Sequence, residues 1–109
     1  MKLADKYPNL KQFFGCHFHQ DWSSDYGTSA EGVQDFLNGF PVDCIISTTN
    51  ELVALLNEIK SDQVLSQALS ELACDYDPSH SGRTDREWLT TEVLPMFKAY
   101  LSDRQAKTA

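Results

Sequence analysis

Residues 28–40 read T-S-A-E-G-V-Q-D-F-L-N-G-F, and this stretch decides the fold class. Thr28 and Glu31 have the spacing of a capping box. In this motif the hydroxyl accepts from the third backbone N–H of a helix and the carboxylate reaches back to the cap. Apolar residues follow at the spacing of one helix face, namely Val33, Phe36, Leu37 and Phe40. Pro41 then ends the run. The stretch predicts a capped amphipathic helix.

The same pattern predicts further helices along the chain. Capping boxes also occur at 48–51 and 84–87, and each precedes a stripe of apolar residues. Asp62 is a candidate cap for another helix, after a break near Ser61. Only residues 42–49 have β-strand character, and their flanks resemble helix ends. We therefore predict an all-α fold, a compact bundle of four to six helices around a single core.

Proline and glycine set the remaining boundaries. The apolar spacing after Pro8 predicts a short helix that stops at Gly15. Residues 16–27 follow as a loop, with a further helical turn as the alternative. Pro95 lies inside the last apolar stripe, so we expect that helix to kink or split. We predict one domain over residues 1–109, with its core at about 7–101 and a polar tail that frays at 103–109.

The composition excludes several classes of function. The net charge is −7, from 9 Lys and Arg against 16 Asp and Glu. Binding to nucleic acid or to an anionic membrane needs a basic face, and no run of Lys or Arg could build one. An acidic protein attracts a basic partner instead. We expect no nucleic-acid and no membrane partner.

Three widely spaced cysteines, Cys16, Cys44 and Cys74, fit neither a disulfide framework nor a C-x-x-C zinc site. Reduced thiols in a cytosolic protein are the simplest interpretation. The polar start of the chain does not resemble a secretion signal, and no apolar run approaches the length of a membrane helix. We expect a soluble, cytoplasmic protein.

Residues 16–22, C-H-F-H-Q-D-W, concentrate groups that bind metals or move protons. His17, His19 and Asp21 would be the ligands of a zinc site, with Cys16 as a possible fourth. The i, i+2 histidine spacing suits an extended segment, whereas on a helix it would splay the imidazoles apart. The set is incomplete without a distant ligand. We therefore expect no metal and no other cofactor.

The competing interpretation of this segment is a buried aromatic anchor. In it Phe18 and Trp22 pack into the core, while the histidines contact helix ends or solvent. A Cys16–His17 nucleophile is disfavoured, because neighbours in sequence rarely have the geometry it needs. Residues 75–78 lack the oxygen-rich spacing of a calcium loop. The residues favour a binding protein with an acidic face over an enzyme.

Two blocks of sequence stand out. The first block comprises Tyr7-Pro8-Asn9-Leu10, Phe13-Phe14-Gly15, Phe18-His19-Gln20-Asp21-Trp22 and Asp25-Tyr26-Gly27-Thr28. The second is Gly82-Arg83-Thr84-Asp85-Arg86-Glu87-Trp88-Leu89. Together they resemble a family of small bacterial immunity proteins, CdiI, of contact-dependent growth inhibition systems, and the resemblance covers about residues 7–101.

The resemblance implies a role in toxin inhibition. Such a protein binds the C-terminal toxin domain of its cognate CdiA protein, here expected in a 1:1 complex, and often blocks its active site. Many of these toxins are nucleases, whose basic clefts would suit an acidic inhibitor. Motif residues shared by inhibitors of different toxins are then scaffold rather than catalytic groups. They are Phe18, His19, Asp21, Trp22, Tyr26 and Trp88.

Acidic side chains off the apolar faces are the candidates for the toxin contact. They are Asp25, Glu31, Asp35, Asp75, Asp77 and Asp85. Two alternatives remain open at the level of sequence. One is an acidic adaptor or regulatory protein with an unrelated partner. The other is a small metal-dependent enzyme that uses His17, His19 and Asp21.

Overall fold

The fold is helical throughout the part of the chain that the structure describes. The structure is a computed structural model that describes the backbone of residues 2–108 and the side chains of residues 2–79 and 81–104. This backbone contains no strand, so the predicted all-α class is confirmed. Its elements, in chain order, are α1 (Leu3–Lys6), α2 (Pro8–His17), α3 (Trp22–Asp25), α4 (Ser29–Gly39), α5 (Val42–Glu58), α6 (Asp62–Glu71), a 3₁₀ segment (Pro78–Ser81), α7 (Asp85–Trp88), a π segment (Leu89–Val93) and α8 (Leu94–Thr108).

The helices differ widely in length. α5 has 17 residues and α8 has 15, whereas α1, α3 and α7 have 4 residues each. α7, the π segment and α8 follow one another without a break. Within the described backbone, no helix combines the length and the apolar character that crossing a bilayer requires.

An aromatic cluster forms the centre of the core. The ring of Phe13 on α2 lies 4.7 Å from that of Phe36 on α4 and 5.3 Å from that of Phe97 on α8, measured between centroids. Phe18 approaches Trp88 to 5.0 Å in an edge-to-face contact. All five side chains are fully buried, and burial of each such side chain stabilises the fold by about 1.5–3 kcal/mol. The rings therefore join α2, α4 and the last helical run into one core.

Two of the three predicted capping boxes lie at helix starts. At Thr84 the box is complete, because the Thr84 hydroxyl accepts from Glu87 N–H and the Glu87 carboxylate accepts from Thr84 N–H. At Thr28 the hydroxyl accepts from Glu31 N–H at 3.2 Å. The Glu31 carboxylate reaches one residue further back than predicted, to Gly27 N–H at 2.9 Å.

The third predicted box was wrong, because residues 48–51 lie inside α5. The Thr48 and Thr49 hydroxyls donate to the carbonyls four residues earlier, each at 2.7 Å. The strand character of residues 42–49 was also misleading, since this segment forms the first half of α5. β-branched residues lower helix propensity only slightly, and burial of Ile45 and both threonines outweighs that cost.

Glu51 caps a different helix from the one predicted. Its carboxylate accepts from the backbone N–H groups of Asn9 and Leu10 at 2.9 and 3.1 Å. These are the first two N–H groups of α2, because Pro8 at its first position has none. The cap residue Tyr7 makes no side-chain cap hydrogen bond. α5 therefore supplies the cap of α2 across the core.

Gly15 does not stop α2, which continues to His17. A glycine inside a helix costs about 1 kcal/mol relative to alanine. Burial of Phe14 and His17 on either side of Gly15 outweighs this cost. Later in the chain, Ser61 rather than Asp62 caps α6, since its hydroxyl accepts from Val64 N–H at 3.4 Å.

The helical run passes Pro95 by changing its hydrogen-bond pattern. A π segment precedes the proline, and Leu94 N–H donates to the carbonyl of Leu89, five residues earlier. A local π pattern of this kind re-aims side chains without ending the helix. α8 then continues to Thr108, where the sequence predicted a frayed polar tail from 103.

Candidate functional site

A cleft of about 420 Å³ opens between the start of α4 and the segment that leads into α7. α3 and the Gly27–Ser29 turn form one side, and the 3₁₀ segment with its flanks forms the other. The π segment contributes the remaining wall through one carboxylate. The lining residues are Trp22, Gly27, Thr28, Ser29, Tyr76, Asp77, Ser81, Arg83 and Glu92.

Glu92 is the centre of a hydrogen-bond network in this cleft. Its Oε2 accepts from the Trp88 indole N–H at 2.7 Å and from the Ser29 hydroxyl. Its Oε1 lies 3.4 Å from Nη1 of Arg83, whose Nη2 lies 3.3 Å from the Tyr76 hydroxyl. The side chain of Glu92 is 19% exposed and that of Arg83 is 27% exposed. The network thus connects the core to the solvent-facing cleft.

The π segment explains how Glu92 reaches the cleft. Trp88 ends α7 and is fully buried, while Glu92 lies four residues later inside the π segment. The indole N–H of a buried tryptophan needs a partner, and Glu92 supplies it. Single-turn π segments inside helices occur frequently at functional sites.

Three of the predicted acidic candidates lie at or beside the cleft. Asp77 lines it, and its Oδ1 also caps the 3₁₀ segment by accepting from Ser79 N–H at 3.0 Å. Glu31 is exposed and accepts from Gly27 N–H, and Gly27 is a lining residue. Asp75 is exposed two residues before Asp77, and its backbone N–H donates to the carbonyl of Phe18 at 2.7 Å.

The other three candidates have structural contacts of their own. Asp25 lies 3.2 Å from Nε2 of His19, with 54% of its side chain exposed. Asp35 accepts from the Tyr26 hydroxyl at 2.8 Å, with 59% of its side chain exposed. Asp85 is half-buried at the first position of α7. The structure therefore brings Glu31, Asp75 and Asp77 near one cleft and gives the remaining three separate surroundings.

The side chains that were considered as metal ligands do not converge. His17 is buried, with Nδ1 at 3.2 Å from the Phe13 carbonyl and Nε2 at 3.3 Å from the Asp35 carboxylate. His19 faces a different group, since its Nδ1 accepts from Asp21 N–H at 3.1 Å. Among the described side chains, no three His, Cys, Asp or Glu groups meet closely enough to hold a metal ion.

Packing around His17 shifts the pKa values of His17 and of its neighbour Tyr26. Burial lowers the pKa of His17, although the Phe13 carbonyl and the Asp35 carboxylate oppose that shift. Burial, together with the hydrogen bond to Asp35, raises the pKa of Tyr26 to about 12, so the phenol stays a donor. The ring of His17 lies within 6.2 Å of those of Tyr26, Phe36 and Phe40, as an aromatic member of the core.

Trp22 is less buried than the sequence-based interpretation of an aromatic anchor implies. Trp22 is half-buried at the core edge, rather than largely buried, and its ring contacts Tyr76 edge-on at 4.8 Å. The Asp21 carboxylate is exposed and braces none of the described groups. Instead, the backbone N–H of Asp21 donates a hydrogen bond to Nδ1 of His19.

Sequence patterns did not reveal the two charged residues at the floor of the cleft. Arg83 lies in the second motif block and Glu92 among the polar residues of the last predicted helix, so neither was selected as a candidate. The only local signal was the i, i+4 spacing of Trp88 and Glu92, which is common on helix surfaces. Ser29, the third partner, is buried at the first position of α4.

A family model described as CdiI immunity protein matches residues 6–93. The chain belongs to the CdiI immunity protein family. Membership implies that this protein binds and neutralises a cognate CdiA toxin domain, as an inhibitor rather than an enzyme. No curated protein and no solved structure matches the chain.

The match covers the whole cleft of this CdiI immunity protein. The lining residues extend from Trp22 to Glu92, inside the matched range of 6–93. All of α8 lies beyond it. Membership thus explains the resemblance of both motif blocks, and it leaves the toxin-binding surface to be inferred from the geometry.

Proposed function

We propose that this protein neutralises a nuclease toxin domain in the cytoplasm, in a 1:1 complex that covers a basic active-site cleft. Family membership carries the toxin-binding part of this proposal. The nuclease part rests on charge. A nuclease must bind phosphates with Lys and Arg side chains, and an inhibitor with a net charge of −7 is complementary to such a surface.

The exposed carboxylates support an electrostatic block. Asp75 and Asp77 immediately precede the 3₁₀ segment, which ends in a turn at Gly82, where the backbone φ is 73°. Such turn segments project side chains from a rigid scaffold and commonly carry binding residues. We infer that Asp75 and Asp77, with Glu31 beside the same cleft, make the central contacts. Asp25, Asp35 and Asp85 would lie further out and steer the encounter.

Co-expression tests the proposal directly. We expect the partner to be a CdiA C-terminal domain that is encoded immediately upstream of this gene. We expect growth arrest when that domain is expressed alone and rescue when this protein is co-expressed. The purified pair should show a 1:1 complex in which cleavage of RNA or DNA by the toxin is abolished. Failure of the protein to bind that domain would overturn the proposal and favour an adaptor with an unrelated partner.

Binding kinetics test the electrostatic part. We expect the Asp75→Asn/Asp77→Asn double variant to associate several-fold more slowly than wild type, with a weaker dependence on salt. Asp25→Asn should lower only the association rate. Asp43→Asn is the matched control, because Asp43 is an exposed carboxylate in the first turn of α5 and outside the candidate set. Unchanged rates for both candidate variants, with no salt effect on wild type, would contradict the electrostatic block.

A further inference from the structure

The charges around the cleft favour a cation. Asp77 and Glu92 line it together with one base, Arg83, so the lining residues carry one more negative than positive formal charge. The Glu31 carboxylate, bound to Gly27 N–H at the rim, adds another. Counted together, three carboxylates and one guanidinium leave a net formal charge of −2 around the cleft, which attracts an entering positive group.

Glu92 retains the capacity to accept another hydrogen bond. A carboxylate has about four lone-pair positions on its two oxygens. Trp88 and Ser29 occupy Oε2, while Arg83 approaches Oε1 at 3.4 Å, a long contact for a charged pair. A donor from a partner could therefore bind Oε1 without displacing the groups that hold Glu92 in place.

Two aromatic rings complete the cleft. Trp22 and Tyr76 both line it, and their centroids lie 4.8 Å apart in an edge-to-face arrangement. An aromatic ring attracts a guanidinium or ammonium group through its quadrupole, and tryptophan does so most strongly. Trp, Tyr and Arg in desolvated pockets dominate the energetics of many protein interfaces.

We propose that this cleft receives one arginine or lysine side chain of the toxin, which contacts Trp22 and Tyr76 and binds the carboxylates of Asp77 and Glu92. The inference rests on the proposed function, since it specifies where a basic toxin surface engages. The cleft, at about 420 Å³, exceeds the volume of one such side chain. Part of the flanking toxin backbone would therefore also enter.

An anion is the competing occupant, because Arg83 and the start of α4 both carry positive charge. Part of this helix start already has local partners. Glu31 N–H donates to the Thr28 hydroxyl, and the Glu31 carboxylate, which accepts from Gly27 N–H, places a negative charge beside it. Arg83 faces Glu92 and the Tyr76 hydroxyl. An anion would therefore have to enter beside Asp77 and Glu92, which repel it.

A small-molecule probe tests the charge preference of the free protein. N-acetyl-argininamide and N-acetyl-citrullinamide have nearly the same shape, but only the first is charged. In NMR titrations we expect saturable shifts of the Trp22 indole N–H with the arginine probe. The citrulline probe, and inorganic phosphate, should give shifts at least threefold smaller at equal concentration. Equal responses to both amides, or a larger response to phosphate, would overturn the inference.

The toxin complex tests the same contact. Asp77→Asn removes the charge, while the asparagine carbonyl oxygen can still accept from Ser79 N–H, so the cap is retained. We expect this variant to bind the toxin at least tenfold more weakly, mainly through faster dissociation. Asp43→Asn, at an exposed position outside the cleft lining, should change the affinity less than twofold. Equal thermal midpoints would show that both variants are folded.

The outcomes separate this inference from the proposed function. If wild type protects cells and Asp77→Asn binds the toxin as tightly as Asp43→Asn does, the inference is wrong and the proposed function stands. If wild type forms no complex with the toxin, both are wrong. If Asp77→Asn loses affinity for the toxin while Asp43→Asn does not, and the arginine probe binds more strongly than the citrulline probe, the results would support binding of a basic toxin side chain in this cleft.

Discussion

At the scale of single residues, Trp88 and Glu92 connect stability to the candidate site. Trp88 is fully buried and contacts the rings of Phe18 and Tyr76 at 5.0 and 4.7 Å. Its indole N–H would be unsatisfied in the core without Glu92. The same carboxylate faces the cleft, where it is 19% exposed. A core contact therefore fixes the position of a charged group at the surface.

The two tryptophans should contribute unequally to stability. Trp88→Ala should lower the free energy of unfolding by about 3–5 kcal/mol, because it removes a fully buried ring. Trp22→Ala should cost only about 1–2 kcal/mol, since Trp22 is half-buried and loses less transfer free energy. Urea denaturation of both variants checks this. Equal losses of unfolding free energy for the two substitutions would contradict the prediction made from their burial.

The buried imidazole of His17 should make stability depend on pH. Burial lowers its pKa in the folded protein below the ordinary value of 6.5. As the pH falls through 6.5, the unfolded chain takes up a proton that the folded protein still excludes, so the free energy of unfolding decreases. We expect wild type to be less stable at pH 5.5 than at pH 7. His17→Gln should reduce this difference.

The matched control for that titration is His19→Gln. His19 is 36% exposed and pairs with Asp25 at the surface. We expect its removal to reduce the His17-dependent loss of stability at low pH only slightly, because the charge of His19 is the smallest of the contributions to the pKa of His17. Urea denaturation at both pH values, with an NMR titration of the imidazole protons, provides the measurement. A His17 pKa above 6.5 in the folded protein would contradict the prediction.

At the scale of helices, the sequence predicted contacts between residues close in the chain and missed contacts between residues far apart in it. The starts of α4 and α7 were predictable from Thr28 and Thr84, because each threonine and the glutamate it pairs with lie within four residues of each other. Thr48–Glu51 has the same pattern, yet the contact of Glu51 with Asn9 depends on the packing of α5 against α2. The cleft was only half predictable for the same reason. Asp77 lies in a loop that can be recognised in the sequence, whereas Glu92 lines the cleft from the π segment, which cannot.

Glu51 provides the clearest test of a contact between helices. Glu51→Ala should lower the free energy of unfolding by about 1–2 kcal/mol, because two N–H groups of α2 lose their acceptor. Glu51→Gln should cost less, since the amide oxygen can still accept but no longer carries charge. Chemical denaturation gives both values.

Asn50→Ala is the control for Glu51. Asn50 is exposed on the same helix and was part of the same misassigned pattern. We expect its removal to change stability by no more than about 0.5 kcal/mol, as at an ordinary surface position. A cost at Asn50 equal to that at Glu51 would indicate a general effect of α5 rather than a cap on α2.

At the scale of the whole molecule, one aromatic core supports a surface with excess negative charge. Buried rings from α2, α4, α7 and α8 belong to a single hydrophobic cluster, together with aliphatic side chains of α5 and α6. The described chain measures about 41 × 32 × 22 Å along its principal axes. Since the cleft is built on residues held by this core, its geometry should persist for as long as the core remains folded.

The continuous core leads us to expect a single cooperative unfolding transition, as in one domain. The midpoints of urea unfolding should coincide when followed by far-UV circular dichroism, which reports all the helices, and by tryptophan fluorescence, which reports Trp22 and Trp88 near the cleft. Phe13→Ala should shift both midpoints equally. Its ring contacts α4 and α8 at once, so the cost should be about 3–5 kcal/mol. If fluorescence changes at lower urea than the dichroism does, the cleft region unfolds separately and the single-domain prediction is wrong.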